Sequence, residues 1–136
     1  PSDLFLLKEA TKFHKIPCQI TAVENGPQLR DYLEEACKEA ERERPDLMIL
    51  DWTLPRADMS NLIKAIRKSS HCLDSPILVF TALASPESRT AAFEGGATCF
   101  VQKPTELDEF LGIGAIIREL LEGGSHQDQV KKYLAP

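Results

Sequence analysis

The apolar positions change period along the chain, from helical spacing to short uninterrupted runs and back. Leu4, Leu7, Lys8 and Thr11 cover successive turns behind Ser2, with Leu6, Ala10 and Phe13 beside them. That spacing predicts a helix capped by Ser2 or Asp3 and running to about His14, with Pro17 stopping it. Cys18 to Val23 is short and rich in β-branched residues, and Asn25-Gly26-Pro27 follows it, which predicts a strand and a turn. From Gln28 to Arg44 the pattern is helical again. Leu29, Leu33, Ala36 and Ala40 form the apolar stripe, and the charges of Glu34-Glu35, Lys38-Glu39 and Glu41 to Arg44 form a solvated face.

Three buried runs follow, each leading to a polar residue. Leu47-Met48-Ile49-Leu50 ends at Asp51, Ile77-Leu78-Val79-Phe80 ends at Thr81, and Cys99-Phe100-Val101 stops just before Lys103-Pro104. Runs without alternation are what parallel strands covered on both faces require. Helical patterns separate them: Met59 to Arg67, Pro86 to Glu94 closed by Gly95-Gly96, and Glu106 to Glu122. The last has Leu107, Phe110, Leu111, Ile117 and Leu121 as its core side and Gly123-Gly124 at its end. Alternating strands and helices specify βαβ units and a doubly wound parallel α/β sheet.

Composition narrows the function classes. The chain has 136 residues, 43% of them hydrophobic, which suits one domain with one core. A net charge of −5 argues against a surface built for nucleic-acid phosphates. Cys18, Cys37, Cys72 and Cys99 lack any Cys-x-x-Cys pair, and His14, His71 and His126 stand at no ligand spacing from them, so reduced thiols in a cytoplasmic protein are expected. No apolar run approaches the ~20 residues of a membrane span, and the start has no signal-peptide pattern. Residues 1–124 are expected to form the domain, and 125–136 a tail or a short extra helix.

In a doubly wound sheet the functional crevice lies beyond the carboxyl ends of the strands. The strand reading therefore brings a carboxylate (Asp51), a hydroxyl (Thr81) and an ammonium (Lys103) to one edge. That set suits an anionic group: a carboxylate accepts a phosphoryl group when cations offset the charge. Lys103 supplies one positive charge, and Mg²⁺ bound by Asp51 and other oxygens would supply more.

The segments Leu47 to Pro55, Val79-Phe80-Thr81-Ala82 and Val101-Gln102-Lys103-Pro104 resemble the three signature strand ends of two-component response-regulator receiver domains. Asp51 to Thr81 is 30 residues and Thr81 to Lys103 is 22, both typical of that family. The resemblance extends from Ser2 to about Leu121. It implies a five-stranded sheet in the flavodoxin-like order 2-1-3-4-5, with Asp51 as phosphoacceptor and Lys103 on the phosphoryl group. Thr81 would be the switch hydroxyl, Phe100 the switch aromatic, the Thr53 backbone carbonyl a Mg²⁺ ligand, and Lys103-Pro104 a cis peptide. It further implies a histidine kinase or phosphotransfer protein as donor and a downstream protein target. The Pro86 to Leu121 face is where family members often dimerise. Such a protein is a phosphoacceptor switch in signal transduction rather than an enzyme.

Two departures stand out. The family's first strand and its Mg²⁺-binding acidic pair are not in the sequence, so the domain reads as incomplete at its amino end, and Met59 stands where the family usually has glycine. A hydrolase with Asp51 as nucleophile is disfavoured by Thr53, where a second aspartate would serve as general acid. A pseudo-receiver, which binds partners without being phosphorylated, remains the alternative.

Overall fold

The computed structural model describes residues 3–18, 20, 26–38, 45–51, 56–69, 74–82 and 84–122. Its elements are helices α1 (Asp3–Phe13) and α2 (Gly26–Lys38), strand β1 (Met48–Asp51), α3 (Arg56–Lys68), β2 (Ile77–Thr81), α4 (Pro86–Gly95), β3 (Cys99–Gln102), α5 (Leu107–Leu111) and α6 (Ile113–Glu122).

The three buried runs are the three strands, paired in parallel in the order β1-β2-β3. The register sets Leu50 opposite Val79 and Asp51 opposite Phe80, and on the other side of β2 sets Phe80 opposite Val101 and Thr81 opposite Gln102. Successive side chains point to opposite faces of a strand, so an uninterrupted apolar run feeds two cores at once. On one face Leu50, Ile77, Val79 and Phe100 pack with Leu29 and Leu33 of α2, Ile63 and Ile66 of α3, and Ala92 of α4. On the other, Leu78, Phe80, Cys99 and Val101 meet Phe110 of α5 and Ile113, Ile116, Ile117 and Leu120 of α6, with Leu6 and Leu7 of α1 beside them. Each buried Ile, Leu, Val or Phe contributes roughly 1.5–3 kcal/mol.

Local chemistry sets the ends of α4. Ser85 caps it in the extended conformation, its side chain accepting from the Ser88 amide while the Ser88 side chain accepts from the Ser85 amide, and Pro86 opens the first turn. Gly96 closes it at φ 118°, where a side chain would be strained and where a Cβ would lie 2.8 Å from Cγ of Arg67. The α1 helix is tied to α6 by close approach: a Cβ on Gly114 would run into the His14 ring and lie 2.8 Å from the Ala10 carbonyl oxygen.

The structure corrects four expectations. The strand expected over Cys18 to Val23 is not seen at Cys18 or Ile20, the two of its residues that are described. Among the described residues no strand flanks the outer side of β1. The sheet accordingly holds three described strands, in the order required of the last three of the expected five. The single helix expected from Glu106 to Glu122 is divided at Gly112, whose amide donates to the Asp108 and Glu109 carbonyls. Leu107, expected in the core, is 59% exposed, because the α5 core contact is made by Phe110. The Lys103-Pro104 peptide, expected cis, is trans; no cis bond occurs among the described residues. For an X–Pro bond trans is favoured by about 0.5–1 kcal/mol unless packing imposes the other isomer.

Candidate functional site

Strand polarity and register assemble the site. In a parallel sheet all carboxyl ends lie on one edge, so Asp51, the last residue of β1, and Thr81, the last of β2, reach it together. Lys103 follows directly on Gln102, the last residue of β3, and its amide donates to the Thr81 carbonyl at 2.7 Å, which extends the ladder by one bond and holds Lys103 beside the end of β2. The three residues singled out by the strand reading thus share one edge. The Asp51 side chain and residues 52–55, including Thr53, lie outside the described residues, so the metal-ligand expectation at Thr53 is not placed.

Burial differs among these groups. Thr81 is 2% exposed and Phe100 6%, so the hydroxyl and the aromatic of the expected switch both lie inward. Phe100 packs with Val79, Ala92 and Ala97, which couples β3 to α4. Lys103 is half-buried, and its Nζ lies over the Phe80 ring, 5.6 Å from the centroid. Ala82, immediately after Thr81, is exposed. Met59 lies within α3, so the position is helical backbone.

The thiols and imidazole behave as separate surface or packing groups. Cys18 is exposed and Cys99 buried. Burial pushes the Cys99 thiol up from 9.0 to about 12, partly offset by a backbone hydrogen bond from Phe100, so it stays protonated and unreactive. Nε2 of His14 is 2.9 Å from the Leu111 carbonyl oxygen. Among the described residues no three His, Cys, Asp or Glu side chains come together to hold a metal.

Sequence reasoning missed two features. Phe80 was read only as core, although its place one residue before Thr81 already put it against the site edge. Arg67, in the sequence only the end of a helical pattern, donates from Nε to the Gly96 carbonyl at 2.9 Å and from its terminal nitrogens to the Ser75 carbonyl at 2.6 Å and to Thr98 Oγ1 at 3.3 Å. No local pattern reveals partners 8 to 31 residues away.

Comparison with known proteins agrees with the geometry. The model of the response regulator receiver domain matches residues 6–113. RpaA of Synechocystis, named as a DNA-binding dual master transcriptional regulator, is 31% identical over 90 residues, which cover 66% of this chain and 36% of that protein. The response regulator MprA of Mycobacterium leprae is 39% identical over 87 residues, 64% of this chain and 36% of MprA. The chain thus spans about a third of the length of these relatives. The crystal structure of a response regulator from Hahella chejuensis superposes with a TM-score of 0.74 at 27% identity, covering 92% of this chain and 91% of that one. A family match over most of the sequence places the chain among the response regulator receiver domains.

Proposed function

We propose that this domain is a phosphoacceptor switch, taking a phosphoryl group from a histidine kinase or phosphotransfer protein onto Asp51 and changing how its α4–β3–α6 face binds a protein target. The observation that carries the reading is the Lys103-to-Thr81 backbone bond, which brings the ammonium-bearing residue and the hydroxyl-bearing residue to the strand edge that Asp51 also ends. In the transfer, a carboxylate oxygen of Asp51 forms a bond to phosphorus as the donor's bond to phosphorus breaks, and the leaving group departs with the electron pair. Lys103 offsets the negative charge of the phosphoryl oxygens, and the Thr81 hydroxyl donates to one of them.

Thr81 and Phe100 are already inward, so phosphorylation acts by favouring this arrangement over one in which the ring is out, a population shift rather than a new fold. The family's full sheet, in the order 2-1-3-4-5, is the frame in which we read the site. Mg²⁺ belongs to the same reading, with Asp51 and the Thr53 carbonyl as ligands, but the described residues do not complete a donor set for it. No step is therefore derived through the metal. Action in the cytoplasm, with the Pro86 to Leu121 face as a dimer surface, follows from the same family reading.

The test is incubation of the full-length protein with Mg²⁺ and acetyl phosphate, followed by intact mass. A hydroxylamine-labile phosphoryl adduct on the wild type, absent from Asp51→Asn, is expected. A folded full-length protein that takes no adduct would instead be a pseudo-receiver.

A further inference from the structure

We infer that Phe80 is a positioning residue for Lys103, its aromatic face holding the ammonium at the strand edge before any phosphoryl group arrives. The inference rests on the phosphoacceptor reading and deepens it. Phe80 lies opposite Asp51 on one side and Val101 on the other. Side chains repeat every two residues along a strand, so Lys103 emerges on the face that Val101 shares with Phe80, as its diagonal neighbour. The Lys103 amide is fixed to the Thr81 carbonyl at 2.7 Å, and Nζ comes to 5.6 Å from the Phe80 centroid, within cation–π reach.

The ring cannot easily turn away. It is 1% exposed and stands edge-to-face with Phe110, the two centroids 5.4 Å apart and the planes at 85°. A lysine stem has four rotatable carbons and loses considerable freedom when its charge is held in one place. A rigid, electron-rich face beneath the ammonium restricts it in advance. An aliphatic residue at position 80 would fill the core as well but supply no such face.

The experiment compares the full-length wild type with Phe80→Leu, Lys103→Met and the double variant, and with protein carrying ring-fluorinated phenylalanine at position 80. Fluorination keeps the shape of the ring and drains its negative face, so it separates electrostatics from packing. Adduct formation from acetyl phosphate should slow roughly two- to fivefold in Phe80→Leu and stepwise with fluorination, as expected for a cation–π contact whose lysine is half-buried. In the Lys103→Met background the same changes at position 80 should have no effect. Independently of phosphorylation, the Lys103 ε-methylene protons should show an upfield ring-current shift by NMR that is lost in Phe80→Leu. Equal slowing in both backgrounds, or indifference to fluorination, would overturn the positioning role while leaving the phosphoacceptor reading intact. A wild type that takes no phosphoryl group overturns both, and the NMR shift then reports only that the ring and ammonium touch.

Discussion

The two ends of the sheet are built differently. At the amino-terminal end, Arg67 at the close of α3 reaches the Ser75, Gly96 and Thr98 positions. Ser75 donates to the Pro45 carbonyl at 2.8 Å, and the Ile77 amide donates to Thr98 Oγ1 at 3.0 Å. That web joins the entry to β1, the entry to β2 and the α4–β3 turn. At the carboxyl-terminal end, β1 and β2 close on an acid and a hydroxyl and an ammonium follows directly on β3, and among the described residues a backbone bond runs from Lys103 to Thr81 with the ring of Phe80 beside it. Side-chain bonds thus fasten the amino-terminal end, while the charged residues gather at the other. Position α4 illustrates the consequence: its Gly96 end is held by Arg67, while its Ser85 end, four residues after Thr81, is held by a local cap.

The largest effect expected from breaking this contrast is at the fastened end. Arg67→Met removes three charge-assisted bonds and strands two carbonyls, so a loss of about 3 kcal/mol is expected in urea unfolding with an unchanged m-value. Lys103→Met, at the other end, should alter stability by less than about 0.5 kcal/mol while slowing phosphoryl uptake to a low but still measurable rate. Equal costs at the two ends would dissolve the distinction. Next in size, Ser85→Ala removes the cap of α4 and should cost about 1 kcal/mol, with amide exchange of the first α4 turn quickened selectively. A uniform rise in exchange across α4 would show that both of its ends are held alike.

The smallest effect concerns Cys99, the first residue of β3 at the fastened end. Its folded value, about 12, lies above the ordinary 9.0, so the folded state keeps a proton that the unfolded chain releases. Stability contributed by this group is therefore fully present well below pH 9 and falls as pH rises through 9 toward 12. Relative to Cys99→Ala, the wild type should lose about 0.4 kcal/mol between pH 7 and pH 9, measured by chemical denaturation at each pH. A flat difference between the two proteins would mean that the thiol is reached by solvent.

Much of this protein was legible in the chain. Leu47 to Leu50, Ile77 to Phe80 and Cys99 to Val101 announce covered parallel strands because both of their faces must be apolar, and Asp51, Thr81 and Lys103 fall at the strand ends by simple counting. The Pro86 helix start is equally local, since proline fixes the first turn; the Ser85–Ser88 box could have been read from the serine three residues before another serine. Of the strand expected at Cys18 to Val23, only Cys18 and Ile20 are described and neither lies in a strand; β-branched composition by itself does not name a neighbouring strand to pair with.

The sequence by itself determined the three buried strands and the helices that alternate with them, their parallel sense and the identity of the polar residues at or just beyond their ends, all of which follow from period, punctuation and chain direction. Only the tertiary structure decided that Arg67 fastens the opposite end, that Gly114 lets His14 close on Leu111, that Leu107 faces outward, and that the ring of Phe80 lies beneath Lys103. Those facts depend on distances between residues far apart in the chain, which no local pattern of apolar and polar positions encodes.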